Sequence, residues 1–192
     1  MNSLPFSSKP VKRSKQNCLH ECCEQRILAN LLSCHKQFCM PVAHLEVCAF
    51  TIQSCLIAQR AGAVRVELCD NPIEGGTTPS WGTIRQVRET VDIQLYPILR
   101  PRSGNYFYDE NEFAILRHDI QACKDLGCDG ISVGAATVQA EIDTERMKRI
   151  VEWAYPMKVT CNRVFDGAPD LFKALEDSIA CGCERVLTSG GK

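Results

Sequence analysis

From residue 44 to the end of the chain, short apolar segments alternate with longer segments of helical period. We predict strands that begin near residues 44, 64, 93, 130, 157 and 185, with a helix between each strand and the next. Parallel strands need crossover connections, which are usually helices, so this alternation predicts an α/β fold with a parallel sheet. A doubly wound open sheet and a (β/α) barrel both satisfy the pattern.

The pattern also indicates where a functional site should lie. No Gly-x-Gly-x-x-Gly follows the first predicted strand, which argues against the dinucleotide-binding form of the doubly wound sheet. Charged and glycine-rich motifs instead follow the predicted strands, at their carboxyl ends. Both architectures place their sites at that end of the sheet.

The composition excludes several function classes. A net charge of −1 does not favour nucleic-acid or membrane-surface binding, and no apolar run approaches the roughly 18 residues of a membrane span. The 13 cysteines are odd in number and irregularly spaced, and no secretion signal precedes them. We therefore predict reduced thiols in a cytoplasmic protein, some of them free to bind a soft metal.

Residues 1–43 differ from the rest of the chain. They are rich in basic residues and show no sustained period, so we predict an N-terminal extension that is disordered or partly helical. Its Cys-x₃-Cys and Cys-x₄-Cys spacings come near those of zinc sites, although an extension without a selected role fits as well. The cysteines and histidines of this extension are Cys18, His20, Cys22, Cys23, Cys34, His35 and Cys39.

A repeated Glu-x-Cys ends the first two predicted strands, as Glu46-Val47-Cys48 and Glu67-Leu68-Cys69. Side chains alternate along a strand, so each glutamate shares a face with its cysteine. Neighbouring strands lie about 4.8 Å apart, which brings Cys48 and Cys69 close enough to hold one ion if the strands pair in register. Two thiolates in a nearly linear arrangement suit Cu(I). Alternatively, the cysteines are inert core residues and the glutamates pair with an arginine such as Arg100.

Other charged residues follow the later strands. Arg100 and Arg102 flank Pro101 and are candidates for binding a carboxylate or phosphate, or for pairing with Glu46 or Glu67. Gly75-Gly76-Thr77-Thr78 either cradles an anion or forms a tight turn. Glu46, Glu67 and Asp166 are weak candidates for an acid/base role, and Asp166 could equally cap a helix. No nucleophile with a base beside it is evident, so whether the chain is an enzyme stays open.

Six sequence blocks, in order, resemble the CutC family. They cover about residues 44–191, and together they are specific although each alone is weak. The blocks are Leu45-Glu46-Val47-Cys48, Arg65-Val66-Glu67-Leu68-Cys69, Glu74-Gly75-Gly76-Thr77-Thr78-Pro79-Ser80, Ile98-Leu99-Arg100-Pro101-Arg102-Ser103-Gly104 with Tyr106, Asn162-Arg163-Val164-Phe165-Asp166, and Arg185-Val186-Leu187-Thr188-Ser189-Gly190.

The resemblance implies a TIM-like (β/α) barrel, a role in copper homeostasis and Cu(I) binding at Cys48 and Cys69. It also implies a cytoplasmic protein that forms homo-oligomers and has copper as its partner. One departure is Asn162, where the family usually has a histidine that could serve as a ligand or base. The other is length: a complete barrel needs about 250 residues. Residues 44–192 are therefore expected to form an incomplete barrel of about six of eight units, truncated after the sixth strand. The alternatives to a copper-binding protein are a TIM-barrel enzyme that acts on a small anionic metabolite and a truncated product without independent function.

Overall fold

The computed structural model describes residues 43–191, which form six β-strands and five α-helices in strict alternation. The predictions made for residues 1–42 lie outside the described residues. The elements are β1 (Glu46–Ala49), α1 (Ile52–Arg60), β2 (Arg65–Leu68), α2 (Trp81–Arg88), β3 (Gln94–Leu99), α3 (Glu110–Asp125), β4 (Gly130–Val133), α4 (Thr144–Ala154), β5 (Lys158–Cys161), α5 (Leu171–Ala180) and β6 (Arg185–Val186).

The sheet has the strand order β1-β2-β3-β4-β5-β6, and every neighbouring pair is parallel. A doubly wound sheet reverses its strand order at a switch point, whereas a barrel adds each strand beside the previous one. The observed order is therefore that of a barrel, and the described strands curl into an incomplete one. This confirms the predicted fold class.

The helices begin where the sequence supplies a capping side chain. Ser80 accepts a hydrogen bond from the Thr83 N–H before α2, and Asp143 accepts one from Arg146 before α4, as predicted. The other helices are capped in the same way by Thr51, Asp109 and Asp170. Such a cap fixes the point at which each loop turns back into the outer helical layer.

The two faces of the sheet differ in chemistry. The outer face and the helices share an apolar core that includes Leu95, Leu116 and Ile131, each with no exposed surface. Cys161, the last residue of β5, also belongs to this core. Several residues of the strands and their carboxyl ends are both polar and buried, namely Arg65, Glu67, Arg100, Ser132, Thr160 and Asn162. Buried polar groups need partners, and four of these residues have a side-chain atom without one among the described residues, namely Glu67, Arg100, Ser132 and Asn162. These four point to where a ligand would bind.

Among residues 43–191, no helix combines the length and apolar character that crossing a membrane requires.

Candidate metal centre

Two thiols meet at the carboxyl ends of β1 and β2. Cys48 lies opposite Glu67 in the parallel register, and Cys69 follows β2 and donates its N–H to the Ala49 carbonyl at 2.9 Å. The two Sγ atoms are 3.5 Å apart, well beyond the roughly 2.05 Å of a disulfide, and both cysteines are free thiols. The predicted proximity of Cys48 and Cys69 is thus present in the fold.

Glu67 completes a group of three potential ligands. One ligand atom from each of Cys48, Glu67 and Cys69 lies within 4.8 Å of the others. Only 5% of Glu67 is exposed, and its Oε1 has no hydrogen-bond partner among the described residues. An unpartnered carboxylate oxygen in a buried position is costly unless something else binds it. A cation between the three side chains would satisfy it.

The environment raises the pKa values of two of these side chains, Glu67 and Cys69. Burial raises the pKa of Glu67 above the usual glutamate range, although the nearby Ser132 hydroxyl opposes this shift. The pKa of Cys69 is raised strongly, first by the hydrogen bond that it shares with Cys48, then by burial and by the charge of Glu67. A metal ion must displace these protons, so binding here would release protons and weaken as the pH falls.

The sulfur separation bears on the coordination geometry. With metal–sulfur bonds of about 2.3 Å, the length known for zinc, a linear arrangement needs sulfur atoms about 4.6 Å apart. At 3.5 Å the thiols fit a bent arrangement with little movement. A bent arrangement leaves room for a third ligand on the open side. The geometry thus departs from the nearly linear expectation and gives Glu67 a place that the sequence alone did not assign.

The loop after β2 covers the buried thiol. Gly76 has a φ of +96°, and a Cβ at this position would lie 3.5 Å from Cys69 Sγ. The N–H groups of this loop bond within it or to the Arg100 carbonyl, so the tight-turn interpretation fits and no N–H group of the stretch is left for an anion. The donors of the stretch are Gly75, Gly76, Thr77 and Thr78.

Glu46 is not part of the thiol centre. Its carboxylate accepts a hydrogen bond from Arg65 Nε at 2.6 Å, and Arg65 lies directly opposite it in the register. The guanidinium of Arg65 also stacks 4.9 Å from the centre of the Tyr96 ring. The expected ion pair between a glutamate and Arg100 is therefore wrong, because Arg65 lies nearer to Glu46 across the strand pair.

Arg100 is almost fully buried and bonds to backbone rather than to a carboxylate. Its Nη1 donates to the carbonyls of Glu74 and Gly76 at 2.8 and 3.0 Å, and its Nη2 donates to Gly104 at 2.5 Å. Its Nε has no partner among the described residues. The side chain thereby joins the loop after β2 to the loop after β3. Its predicted role in anion binding stays a prediction.

Arg102 lies in the same loop but faces the start of α3. Its Nη2 donates to Glu112 Oε2 at 3.1 Å, and its Nε also bonds to the Glu112 carboxylate. Further donors of Arg102 bond to the carbonyls of Ser103, Asn105 and Phe107. With these donors engaged, Arg102 holds its own loop in shape, and its predicted anion binding stays a prediction.

Asp166 follows β5 and ties two loops together. It accepts hydrogen bonds from Arg163 Nε, from the Thr188 hydroxyl and from both the N–H and the hydroxyl of Ser189. Burial alone would raise its pKa, but these donors hold it well below the usual aspartate range. Such a carboxylate stays ionised and fully engaged. This arrangement favours a structural role over an acid/base role.

Asn162 directly follows β5, at the position where the resemblance led us to expect a histidine. Only 1% of it is exposed, and its Oδ1 accepts a hydrogen bond from the Val164 N–H at 3.0 Å. Its Nδ2 has no partner among the described residues. The side chain therefore caps the turn after β5 and leaves one buried donor open.

Some residues beside these sites were not predicted as site residues, although two of them, Tyr106 and Arg163, lie in the blocks that resemble the CutC family. Ser132 on β4 reaches towards Glu67, and the Tyr106 ring lies against Arg100. Arg163 partners Asp166. An isolated serine or tyrosine has no diagnostic spacing, and only the curled sheet brings these residues to the same edge as Cys48 and Cys69.

Comparison with known proteins identifies the family to which this chain is related. The sequence profile of the CutC family matches residues 43–192. The chain is 47% identical over 146 residues to family protein CutC of Chromobacterium violaceum and 46% identical over 148 residues to that of Xanthomonas campestris pv. campestris. The matched regions cover 76% and 77% of this chain and 59% and 62% of those relatives. The chain thus spans about three fifths of the length of these curated relatives.

Solved structures show the same relationship. The CutC protein of Streptococcus agalactiae, for which a role in copper homeostasis has been suggested, superposes with a TM-score of 0.74 at 31% identity, covering 78% of this chain and 74% of that one. QR15, an aldolase, superposes with a TM-score of 0.53 at 17% identity, covering 78% and 71%, and indicates the fold alone. From the match of the family profile and the identity to its relatives, the chain belongs to the CutC family.

Proposed function

We propose that this chain binds copper as Cu(I) through Cys48 and Cys69, with Glu67 as a third ligand, and thereby serves copper homeostasis. The observation that carries the proposal is the cluster of two thiols and one unpartnered buried carboxylate at the ends of adjacent strands. The suggested role of the Streptococcus agalactiae relative supports the choice of metal.

The ligand chemistry favours copper over zinc. Thiolates bind both Cu(I) and Zn²⁺, but structural zinc sites almost always have four ligands in a tetrahedron, whereas Cu(I) is satisfied by fewer. The cluster in the described residues offers three ligand residues. A catalytic zinc site with three protein ligands and a water remains the main competitor, so the experiment has to compare the two metals directly.

We further propose that the protein acts in the cytoplasm. Cu(I) and free thiols both require a reducing compartment, and every cysteine among the described residues is unpaired. The net charge of −1 gives no support to a nucleic-acid or membrane partner, and copper is the partner that the proposal requires.

A competitive titration tests the proposal. The protein would be titrated with Cu(I) in the presence of a chromogenic Cu(I) chelator, and separately with Zn²⁺ against a zinc indicator. We expect one equivalent of Cu(I) per chain, with an affinity that falls about a hundredfold or more in Cys48→Ser and in Cys69→Ser. Unchanged stoichiometry and affinity in both variants, or tighter binding of Zn²⁺ than of Cu(I), would contradict the proposal.

Cys183→Ser is the matched control. Cys183 is a partly buried free thiol beside β6, and it is not a member of the metal cluster. Its substitution removes one thiol from the chain but should leave Cu(I) affinity unchanged. An equal loss of affinity in this variant would mean that copper binds to cysteines without regard to the centre.

A further inference from the structure

A second concave site lies between the loops at the carboxyl ends of the strands. This cleft has a volume of about 310 Å³. Among the residues that line it are Glu74, Arg100, Tyr106, Arg163, Asp166 and Ser189. The volume is near the lower end of the roughly 300–1,000 Å³ of small-molecule sites. None of the three members of the metal cluster is among the residues that line it.

The wall of the cleft contains a buried cation without a counterion. Arg100 is 5% exposed, and no carboxylate of the described residues forms an ion pair with it. Three backbone carbonyls and the Tyr106 ring, 4.9 Å away, surround its guanidinium, but these groups carry no formal charge. Buried charges are ordinarily paired, so a net positive potential at this wall favours an anion in the cleft.

The two carboxylates of the cleft do not cancel that potential. Asp166 is paired with Arg163, whose Nε lies 3.0 Å from its Oδ2, and it also accepts from Thr188 and Ser189. Glu74 lies on the exposed rim, where water screens its charge. The Arg100 backbone contact to Glu74 uses the main-chain carbonyl and leaves the carboxylate out. Arg100 therefore remains the uncompensated charge.

Two other side chains offer donors towards the open side of the cleft. Arg163 is 59% exposed, and its Nη1 has no partner among the described residues. The Tyr106 hydroxyl likewise makes no hydrogen bond within the described residues. Burial raises the pKa of Tyr106, so its hydroxyl keeps its proton and can donate. A planar guanidinium with a free edge suits an oxyanion.

We propose that this cleft binds a small organic anion bearing a carboxylate or phosphate group. Arg100 supplies the buried positive charge, while Arg163 and Tyr106 donate hydrogen bonds to the anionic oxygens. The site does not depend on the metal centre, so it stands or falls separately from the copper proposal.

Isothermal titration of the full chain tests the site with two probes, inorganic phosphate and malonate. We expect at least one probe to bind saturably with one equivalent per chain, and the stronger probe identifies the group that the cleft prefers. Arg163→Gln should weaken that binding about ten- to a hundredfold, because a charge-assisted hydrogen bond is worth about 1.5–3 kcal/mol. Tyr106→Phe should weaken it less, by about three- to tenfold, since its hydroxyl is neutral. Arg100 itself is left unaltered in the test because it also joins two loops.

Arg117→Gln is the matched control. Arg117 lies exposed on α3, forms no ion pair within the described residues and stacks on Trp153. This variant loses the same charge and should keep wild-type affinity. The proposal is overturned if neither probe binds saturably, or if Arg163→Gln binds the probe as tightly as Arg117→Gln does.

Discussion

Two carboxylates at the strand ends are equally buried but differ in their hydrogen bonding. Glu67 is 5% exposed and Asp166 is 6% exposed, so solvent access does not distinguish them. Asp166 accepts hydrogen bonds from Arg163, Thr188 and Ser189, whereas Glu67 Oε1 has no partner among the described residues. The pKa of Asp166 is lowered accordingly and that of Glu67 is raised. One carboxylate completes the fold, and the other is left open for a ligand.

The largest expected effect on stability comes from removing Asp166, the carboxylate that accepts several hydrogen bonds. Asp166→Ala leaves Arg163 and the Thr188 and Ser189 donors without their shared acceptor, and we expect it to lower the free energy of unfolding by about 3–5 kcal/mol. Urea denaturation measures this loss. Asp166→Asn keeps the shape and one acceptor oxygen, so a smaller loss is expected. Because the lowered pKa of Asp166 stabilises the fold above the unfolded value of about 3.9, the difference from wild type should shrink as the pH falls below about 4.

Asp125→Ala serves as the control for that measurement. Asp125 is exposed near the end of α3, and its side chain accepts one hydrogen bond, from Gln121. Its removal should change the free energy of unfolding by no more than about 0.5 kcal/mol. If Asp166→Ala were as stable as this control, the four donors around Asp166 would contribute nothing to the fold.

An intermediate effect is expected from a change in the loop after β2, which covers the Cys69 thiol. Gly76→Ala forces a residue with a side chain to a φ of +96°, which should lower the free energy of unfolding by about 1–3 kcal/mol. The new methyl group would also lie in contact with Cys69 Sγ, so Cu(I) affinity should fall about tenfold in the chelator competition.

Gly62→Ala separates these two consequences. Gly62 has a similar φ of +88°, but nothing lies within 4 Å of the position that a Cβ would take. We expect the same loss of stability and no change in Cu(I) affinity. Equal copper affinity in both variants would show that the loop after β2 does not limit access to Cys69.

The smallest effect is expected from replacing Glu67, and this substitution should raise the free energy of unfolding instead of lowering it. Because the folded pKa of Glu67 is raised, its ionisation destabilises the fold as the pH rises above the unfolded value of about 4.3. Glu67→Gln should therefore raise the free energy of unfolding of the metal-free protein by about 1 kcal/mol at pH 7, with no gain below pH of about 4. Urea denaturation at both pH values measures the difference.

Glu176→Gln is the matched control for this gain. Glu176 is exposed on α5 and forms no ion pair within the described residues, so its substitution should leave stability unchanged at either pH. If Glu67→Gln lowered stability at pH 7, the carboxylate would have a partner in solution and the contrast with Asp166 would fail.

Much of the fold could be predicted from local patterns. The fourth strand, Gly130–Val133, begins at the predicted residue, and Ser80 and Asp143 cap helices that follow predicted strands. These features depend on neighbouring residues alone. The last strand was predicted to begin near residue 185 and spans Arg185–Val186, and beyond it the Thr188 hydroxyl bonds to Asp166. That contact joins residues 22 positions apart in the chain, and the hydrophobic periodicity of the sequence gives no information about such contacts.

The candidate site was predictable only in part for the same reason. Alternation along the strands placed Cys48 and Cys69 on one face, and parallel pairing brought them together. The register between β1 and β2 places Glu46 opposite Arg65 and Glu67 opposite Cys48, so Glu67 and not Glu46 lies beside the thiols. Arg100 bonds to carbonyls of two loops, so its role depends on backbone positions that no motif encodes.

The two thiols of the metal centre differ in their access to solvent. Cys48 is exposed, whereas Cys69 is 3% exposed and lies beneath Gly76. An ion held as proposed would therefore face water on the Cys48 side only. An incoming acceptor thiol would therefore displace Cys48 first and Cys69 second, and loading would run through the same two steps in reverse.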